Sequence, residues 1–140
     1  MKKLILFVLL VSLFAACKKK DKTCKQDMAG ISGSHRITAV TYKTSASGAE
    51  QDYYNQVYPD ACQRDDLLIL NSDGTYTFTD AGVKCVPAGD DTGTWSISGN
   101  VATIDGQPFP IQSFNCSTFV ILGADFNVPG DQIKYTFTRQ

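Results

Sequence analysis

The chain has 140 residues, of which 43% are hydrophobic and 19% charged, and its formal net charge is -1. This length corresponds to one domain with enough chain to bury a core. The balanced charge excludes a strongly basic nucleic-acid-binding protein, and an aromatic content of 11% argues against a disordered chain. The single histidine excludes most histidine-based metal sites and most histidine-based catalysis.

Residues 1–16 are predicted to be a secretory signal peptide. Two lysines precede an apolar run at 4–14, which as a helix would span about 16 Å, too short to cross a hydrocarbon core of about 30 Å. The run ends in Leu-Phe-Ala-Ala-Cys at 13–17, which resembles the lipobox of bacterial lipoproteins. The resemblance implies that Cys17 is the first mature residue and carries several acyl chains, enough for stable anchoring. The alternative is ordinary secretion, with Cys17 as a residue of the leader.

Residues 17–29 are predicted to form a flexible, lipidated tether. Residues 17–25 contain five lysines and one aspartate, and they offer no apolar side chain around which the segment could fold. Because Lys18 rather than aspartate follows Cys17, the lipoprotein resemblance implies anchoring in the outer membrane. Whether the protein faces the periplasm or the cell surface stays open.

Residues 30–140 are predicted to form one all-β domain. Short alternating runs recur there, separated by Gly, Asn, Asp and Pro, which favour turns. The predicted strands cover 34–43, 64–71, 75–80, 82–87, 92–98, 101–105, 109–115, 117–123 and 132–139. About eight short antiparallel strands with tight connections favour an up-and-down meander closed into a barrel, which leaves no exposed sheet edge. A sandwich of two sheets is the alternative.

The turn signals predict the registers of two hairpins. A two-residue turn at 99–100 pairs Trp95 with Ile104 and Ile97 with Ala102, and all four side chains then share the interior face.

A two-residue turn at 73–74 would pair Ile69 with Phe78 and point both inward. Leu68 and Leu70 would then face outward, where either another segment covers them or they form an apolar patch for a partner.

Four cysteines remain apart from Cys17, an even set that suits an oxidising compartment. They allow three pairings. The register of the 73–74 hairpin, continued along the strands, places Cys62 opposite Cys85, and elimination then pairs Cys24 with Cys116. The sequence contains neither Cys-x-x-Cys nor a Cys/His cluster, so we expect structural disulfides and no metal site.

Several segments together resemble the lipocalin-like domain of small Gram-negative bacterial lipoproteins. They are Cys-Gln-Arg-Asp-Asp at 62–66, Asn-Ser-Asp-Gly-Thr-Tyr-Thr-Phe at 71–78, Cys85, and Gly-Thr-Trp-Ser-Ile-Ser-Gly-Asn at 93–100. The resemblance runs from about residue 30 to the C-terminus and implies an eight-stranded up-and-down barrel.

The same resemblance implies how the base of the barrel closes. Lipocalins typically begin their first strand with Gly-x-Trp and end with an arginine that packs over this tryptophan. The matching positions here are Gly33, His35 and Arg139, so a histidine replaces the tryptophan.

The segment 44–60 is a long connection between the first two predicted strands, and such connections are usually functional or mobile. Lipocalins use the corresponding loop as a lid, and we expect a short helix at 49–58 that Pro59 ends. Its tyrosines, Tyr53, Tyr54 and Tyr58, are candidates for holding an amphipathic ligand at the mouth. The alternative is that they only cap the barrel.

Five aromatic residues of the predicted strands are further candidates for ligand contacts inside the barrel: Tyr76, Phe78, Trp95, Tyr135 and Phe137. A barrel of eight strands has room either for packed side chains or for one small ligand.

The acidic pairs at 65–66 and 90–91 do not predict an enzyme. Adjacent residues of a strand point to opposite faces, so neither pair forms the two-carboxylate arrangement of a glycosidase. We therefore expect no catalytic residue and no cofactor.

The sequence predicts a membrane-anchored lipocalin-like lipoprotein that binds a small hydrophobic or amphipathic molecule. The alternative is a non-enzymatic structural or protein-interaction module of the cell envelope with a filled barrel and an unknown partner. An open cavity lined by Tyr76, Phe78 and Trp95 would favour the first function, and a core closed by those rings would favour the second.

Overall fold

A computed structural model describes residues 24–140, which form an eight-stranded closed barrel with little helix. The strands are β1 (Gly33–Lys43), β2 (Gln51–Asp52), β3 (Leu67–Leu70), β4 (Thr75–Thr79), β5 (Asp91–Ser98), β6 (Val101–Ile104), β7 (Gln107–Phe114), β8 (Thr118–Ala124) and β9 (Gln132–Arg139). The helical pieces are α1 (Met28–Ile31), α2 (Tyr54–Val57) and a 3₁₀ turn at Ala61–Gln63.

Apart from β2, the strands pair antiparallel in chain order, and β9 returns to pair with β1 from His35↔Arg139 to Lys43↔Gln132. This last pairing closes the barrel. The two-residue strand β2 pairs only with the C-terminal part of β1, at Thr41 and Tyr42. The prediction of an antiparallel up-and-down barrel is thus confirmed, and the sandwich is excluded.

The β5–β6 hairpin has the predicted register. Trp95 pairs with Ile104 and Ile97 with Ala102 across the turn at 99–100. Gly99 has φ +57°, a left-handed conformation that glycine adopts without a steric penalty.

The predicted register of the β3–β4 hairpin is wrong by one residue. The Asn71 N–H donates to the Thr75 carbonyl, so three residues, 72–74, form the loop instead of two. Gly74, with φ +90°, supplies the extra left-handed residue of such a loop.

This shift reverses the two faces of β3. Leu68 pairs with Phe78 and Leu70 with Tyr76, and both leucines are buried in the core. Ile69, predicted to face inward, pairs with Thr77 instead. Leu68 and Leu70 therefore need no cover from another segment.

The predicted strand at 82–87 is also wrong, because these residues belong to the connection between β4 and β5. Two backbone N–H groups there donate to carboxylates, Val83 to Asp65 and Cys85 to the buried Asp80, and not to a neighbouring strand. Val86 is 98% exposed, as expected of a loop.

Both expected disulfides are present in the structure. Cys62, in the 3₁₀ turn, joins Cys85 in the β4–β5 connection, although neither residue lies on a strand as the register argument assumed. Cys24 joins Cys116 in the β7–β8 turn.

One end of the barrel is closed by the segment that precedes β1. Ile31 of α1 is 1% exposed within the core, and the Gln26 side chain donates to Asn100 of the β5–β6 turn. The described region, which starts at Cys24, therefore includes the end of the predicted tether, whereas tether residues 17–23 lie outside it. The opposite end, where β1, β4, β6 and β8 finish, carries the long connections after β1, β4 and β8, whereas the β6–β7 turn there has two residues.

Candidate functional site

Arg139 fastens the closed end through four backbone carbonyls. Its Nε donates to Cys116 at 2.9 Å, and Nη1 donates to Ser32 at 2.7 Å. Nη2 donates to Gly30 at 2.6 Å, with a longer contact of 3.4 Å to Ile31. The guanidinium thus ties α1 and the β7–β8 turn to the last strand.

Gly33 and His35 surround this arginine. A Cβ on Gly33 would collide with Arg139 Nη1, and φ +135° is itself unfavourable for other residues. His35 is 1% exposed, contacts the Phe119 ring edge-on at 5.0 Å, and places Nε2 2.7 Å from the Ile31 carbonyl. Burial lowers the pKa of His35, the bond to Ile31 opposes this, and the charge of Arg139 lowers it further.

The half of the barrel next to the closed end, called the closed half below, is filled with side chains. Trp95 is 4% exposed, and its indole N–H donates to the Asn71 carbonyl at 2.8 Å. Tyr76 is also buried, and its hydroxyl donates to Asp105 at 2.6 Å. These two rings are therefore part of the packed core and do not line an open space.

The open half contains a cavity of about 380 Å³. Its lining comes mainly from β7, β8, β9 and the connection after β8, and consists of Ile37, Tyr58, Phe109, Ile121, Gly123, Ala124, Phe126, Ile133, Tyr135 and Phe137. None of these ten residues is charged. Volumes of 300–1,000 Å³ with mostly apolar walls are typical of small-molecule sites.

Small residues at the end of β8 create part of this space. Gly123 pairs with Ile133 of β9, and a Cβ on Gly123 would lie 2.9 Å from Ile133 Cγ2. Ala124 follows at the exposed end of the strand. With larger side chains at these two positions, the mouth would be narrower.

Two partly buried tyrosines supply the polar side chains of the cavity. No side-chain hydrogen bond joins the hydroxyl of Tyr58 or Tyr135 to another residue of the described chain. Burial raises the pKa of both phenols, and Tyr135 raises that of Tyr58 further. Both side chains line the same cavity. Both hydroxyls remain protonated donors at neutral pH.

A buried aspartate orders the loop that carries Phe126 to the mouth. The Asp131 carboxylate accepts bonds from the N–H groups of Phe126, Asn127 and Val128 and from the Tyr42 hydroxyl. Burial alone would raise the pKa of Asp131, but these hydrogen bonds outweigh it and lower the pKa. Nothing in the sequence pattern distinguished this aspartate from a turn residue.

The 44–60 segment fills a gap in the barrel wall. Beyond His35, the edge of β1 that faces β3 has no strand partner until β2 pairs with Thr41 and Tyr42. The Tyr53 N–H donates to Val40, and the Tyr54 hydroxyl donates to Ile37. The expected helix is limited to Tyr54–Val57.

The structure thus brings three of the eight candidate ligand contacts to the cavity: Tyr58, Tyr135 and Phe137. Tyr53 instead stacks on Tyr42 at 5.0 Å, and Tyr54 hydrogen-bonds to the wall. Phe78 lines a small adjacent crevice, which shares Ile37 and Tyr58 with the cavity.

Sequence reasoning missed several lining residues, notably Phe109, Ile121 and Ile133. Alternation along β8 and β9 could have identified Ile121 and Ile133 as inward-facing. That these residues lie in the open half and not in the filled half depends on how β9 pairs with β1 to close the barrel.

Within residues 24–140, no group of three or more His, Cys, Asp or Glu side chains is placed to hold a metal ion. Nor does this part of the chain contain a helix long and apolar enough to cross a membrane. Cys17, the predicted lipidation site, lies outside the described residues, as do the predicted signal peptide and most of the tether.

Comparison with known proteins agrees with the architecture. Residues 31–121, more than half of the chain, match the family model described as a lipocalin-like domain. No curated protein and no solved structure matches the chain. Proteins of this family are generally non-enzymatic. From the family match and the closed barrel, we conclude that the chain belongs to the lipocalin-like domain family.

Proposed function

We propose that this protein is a membrane-anchored, non-enzymatic carrier that binds one small hydrophobic or amphipathic molecule in its barrel. The observation that carries the proposal is the open apolar cavity of about 380 Å³. Tyr76 and Trp95 are packed in the core, so by the criterion stated for those rings they favour the filled-barrel alternative. The cavity lies in the other half of the barrel, which that criterion did not consider, and it is the reason for proposing ligand binding.

The size of the cavity limits the ligand. A cavity of about 150 Å³ holds a benzene ring with six heavy atoms, so 380 Å³ accommodates about 15 heavy atoms. A linear chain of about twelve carbons with a small polar end meets this limit.

The fold also bears on how an anchored barrel would be oriented. Residues 24–32 lie at the closed end, where Cys24 is bonded to Cys116. Seven residues from Cys17 to Cys24 reach at most about 25 Å when fully extended. With a lipid on Cys17, the closed end would face the outer membrane and the mouth would face away from it.

An alternative function as an envelope interaction module draws on exposed apolar side chains near the mouth. Val83 and Val86 in the β4–β5 connection are 66% and 98% exposed, and Phe126 and Val128 after β8 are 44% and 50% exposed. This observation is compatible with a protein partner, but it leaves the cavity without a role.

The test is a binding measurement on the full chain in phosphatidylcholine nanodiscs. Equilibrium dialysis of radiolabelled 1-dodecanol, with empty nanodiscs subtracted, is expected to show one bound molecule per chain. Ala124→Trp would fill the mouth and abolish binding, whereas Ala46→Trp, on an exposed loop away from the cavity, would leave it unchanged. Equal binding by the two variants, or none by the wild type, would contradict the proposal.

A further inference from the structure

The polar side chains of the cavity indicate which class of ligand it binds, because they are few and of one kind. Eight of its ten lining residues have an apolar side chain or none, and the remaining two are Tyr58 and Tyr135. Neither hydroxyl is hydrogen-bonded to a side chain or carbonyl of residues 24–140. Neither is a fully buried atom, so both remain accessible to a molecule in the cavity.

The charges around these hydroxyls disfavour an anionic ligand. Asp66 is 7% exposed, lies in the crevice behind Tyr58, and contributes to raising the pKa of the Tyr58 phenol. Arg64 lines the same crevice, but its guanidinium donates to the carbonyls of Tyr58 and Pro59. None of the ten lining residues is a cation, so a carboxylate in the cavity would lose its hydration without gaining a charged partner from the cavity wall.

From this arrangement we propose that the cavity selects a neutral amphiphile, such as a fatty alcohol or an ester, whose uncharged oxygen accepts hydrogen bonds from Tyr58 and Tyr135. The inference rests on the proposed carrier function and narrows its ligand class. An ordered phenol is a suitable donor for this purpose, because its ring packs against the alkyl chain while its hydroxyl meets the oxygen.

The expected effects follow from the loss of two neutral hydrogen bonds. The double variant Tyr58→Phe/Tyr135→Phe retains both rings, so the barrel keeps its packing. It should bind 1-dodecanol about tenfold more weakly than the wild type. Binding of tridecane, which has the same number of heavy atoms and no oxygen, should be unchanged. Tyr53→Phe, a tyrosine stacked on Tyr42 away from the cavity, is the matched control and should behave as the wild type.

The experiment is equilibrium dialysis with the full chain in phosphatidylcholine nanodiscs at pH 8, using radiolabelled 1-dodecanol, tridecane and dodecanoate in sealed cells. The wild type should bind dodecanol at least tenfold more tightly than the dodecanoate anion. If the double variant binds dodecanol as tightly as the wild type does, and tridecane likewise, the cavity still binds a ligand but the selectivity inference is overturned. Tighter binding of dodecanoate than of dodecanol also overturns it. If no ligand binds the wild type, both the carrier function and the inference fail.

Discussion

Replacing Arg139 by methionine should destabilise the barrel strongly, because one side chain holds together three parts of the closed end. The guanidinium connects β9 to the β7–β8 turn and to residues 30–32 before β1. Methionine is similar in length and apolar, so it removes the donors while keeping most of the packing volume.

The size of the effect follows from the hydrogen bonds that are lost. Three are shorter than 3.0 Å and involve a charged donor, for which a net contribution of about 1.5 kcal/mol each is at the low end of the measured range. The low end applies because Arg139 is only partly buried. The expected loss is about 4 kcal/mol of unfolding free energy, or a melting temperature lowered by about 10 °C or more.

The assay is urea denaturation followed by circular dichroism, with both disulfides intact. Arg36→Met is the matched control, since Arg36 lies on β1 beside the same strand pair and its buried Nε has no hydrogen-bond partner among residues 24–140. We expect the control to lie within about 1 kcal/mol of the wild type. A loss below 1 kcal/mol for Arg139→Met would refute the assignment of Arg139 as the closing residue.

Two further predictions concern the same end of the barrel. Burial lowers the pKa of His35 in the folded protein, so the neutral imidazole contributes its full stability above the unfolded pKa of 6.5 and loses it as the pH falls below that value. Between pH 8 and pH 5, the unfolding free energy should therefore decline less in His35→Leu than in the wild type. Identical slopes for the two proteins would count against this prediction. The Cys24–Cys116 disulfide spans 92 residues and Cys62–Cys85 spans 23, so chain entropy assigns them about 4.6 and 3.4 kcal/mol. Serine replacement of the first pair should therefore lower the denaturation midpoint more than replacement of the second, and the reverse order would contradict the estimate.

The sequence predicts the barrel well because its strands alternate and its turns are short. At 99–100 the turn residues specify a two-residue hairpin, and the whole β5–β6 register follows. Asp73-Gly74 is ambiguous, because an Asp-Gly pair serves a two-residue turn or a three-residue loop with glycine in the left-handed position. One added residue is enough to exchange Leu68 and Leu70 with Ile69 between the two faces.

The cavity is harder to predict than the fold. Pairing along the chain places Trp95 and Tyr76 on the interior face, but it does not show that they fill the closed half together with Ile31 of α1. The lining residues of β7, β8 and β9 come together through the β1–β9 closure, which joins residues about a hundred positions apart. Tyr58 is the exception, because its place in a long connection marked it as a candidate.

Photolabelling tests the central claim, that a ligand occupies the open half of the barrel, most directly. A diazirine analogue of 1-dodecanol would be irradiated with the full chain in nanodiscs, and the labelled residues mapped by peptide mass spectrometry. We predict labels on Phe109, Tyr135 and Phe137, with none on Trp95 of the filled half. Labelling confined to Val83 and Val86 on the exposed loop, or spread without preference over the surface, would contradict the account.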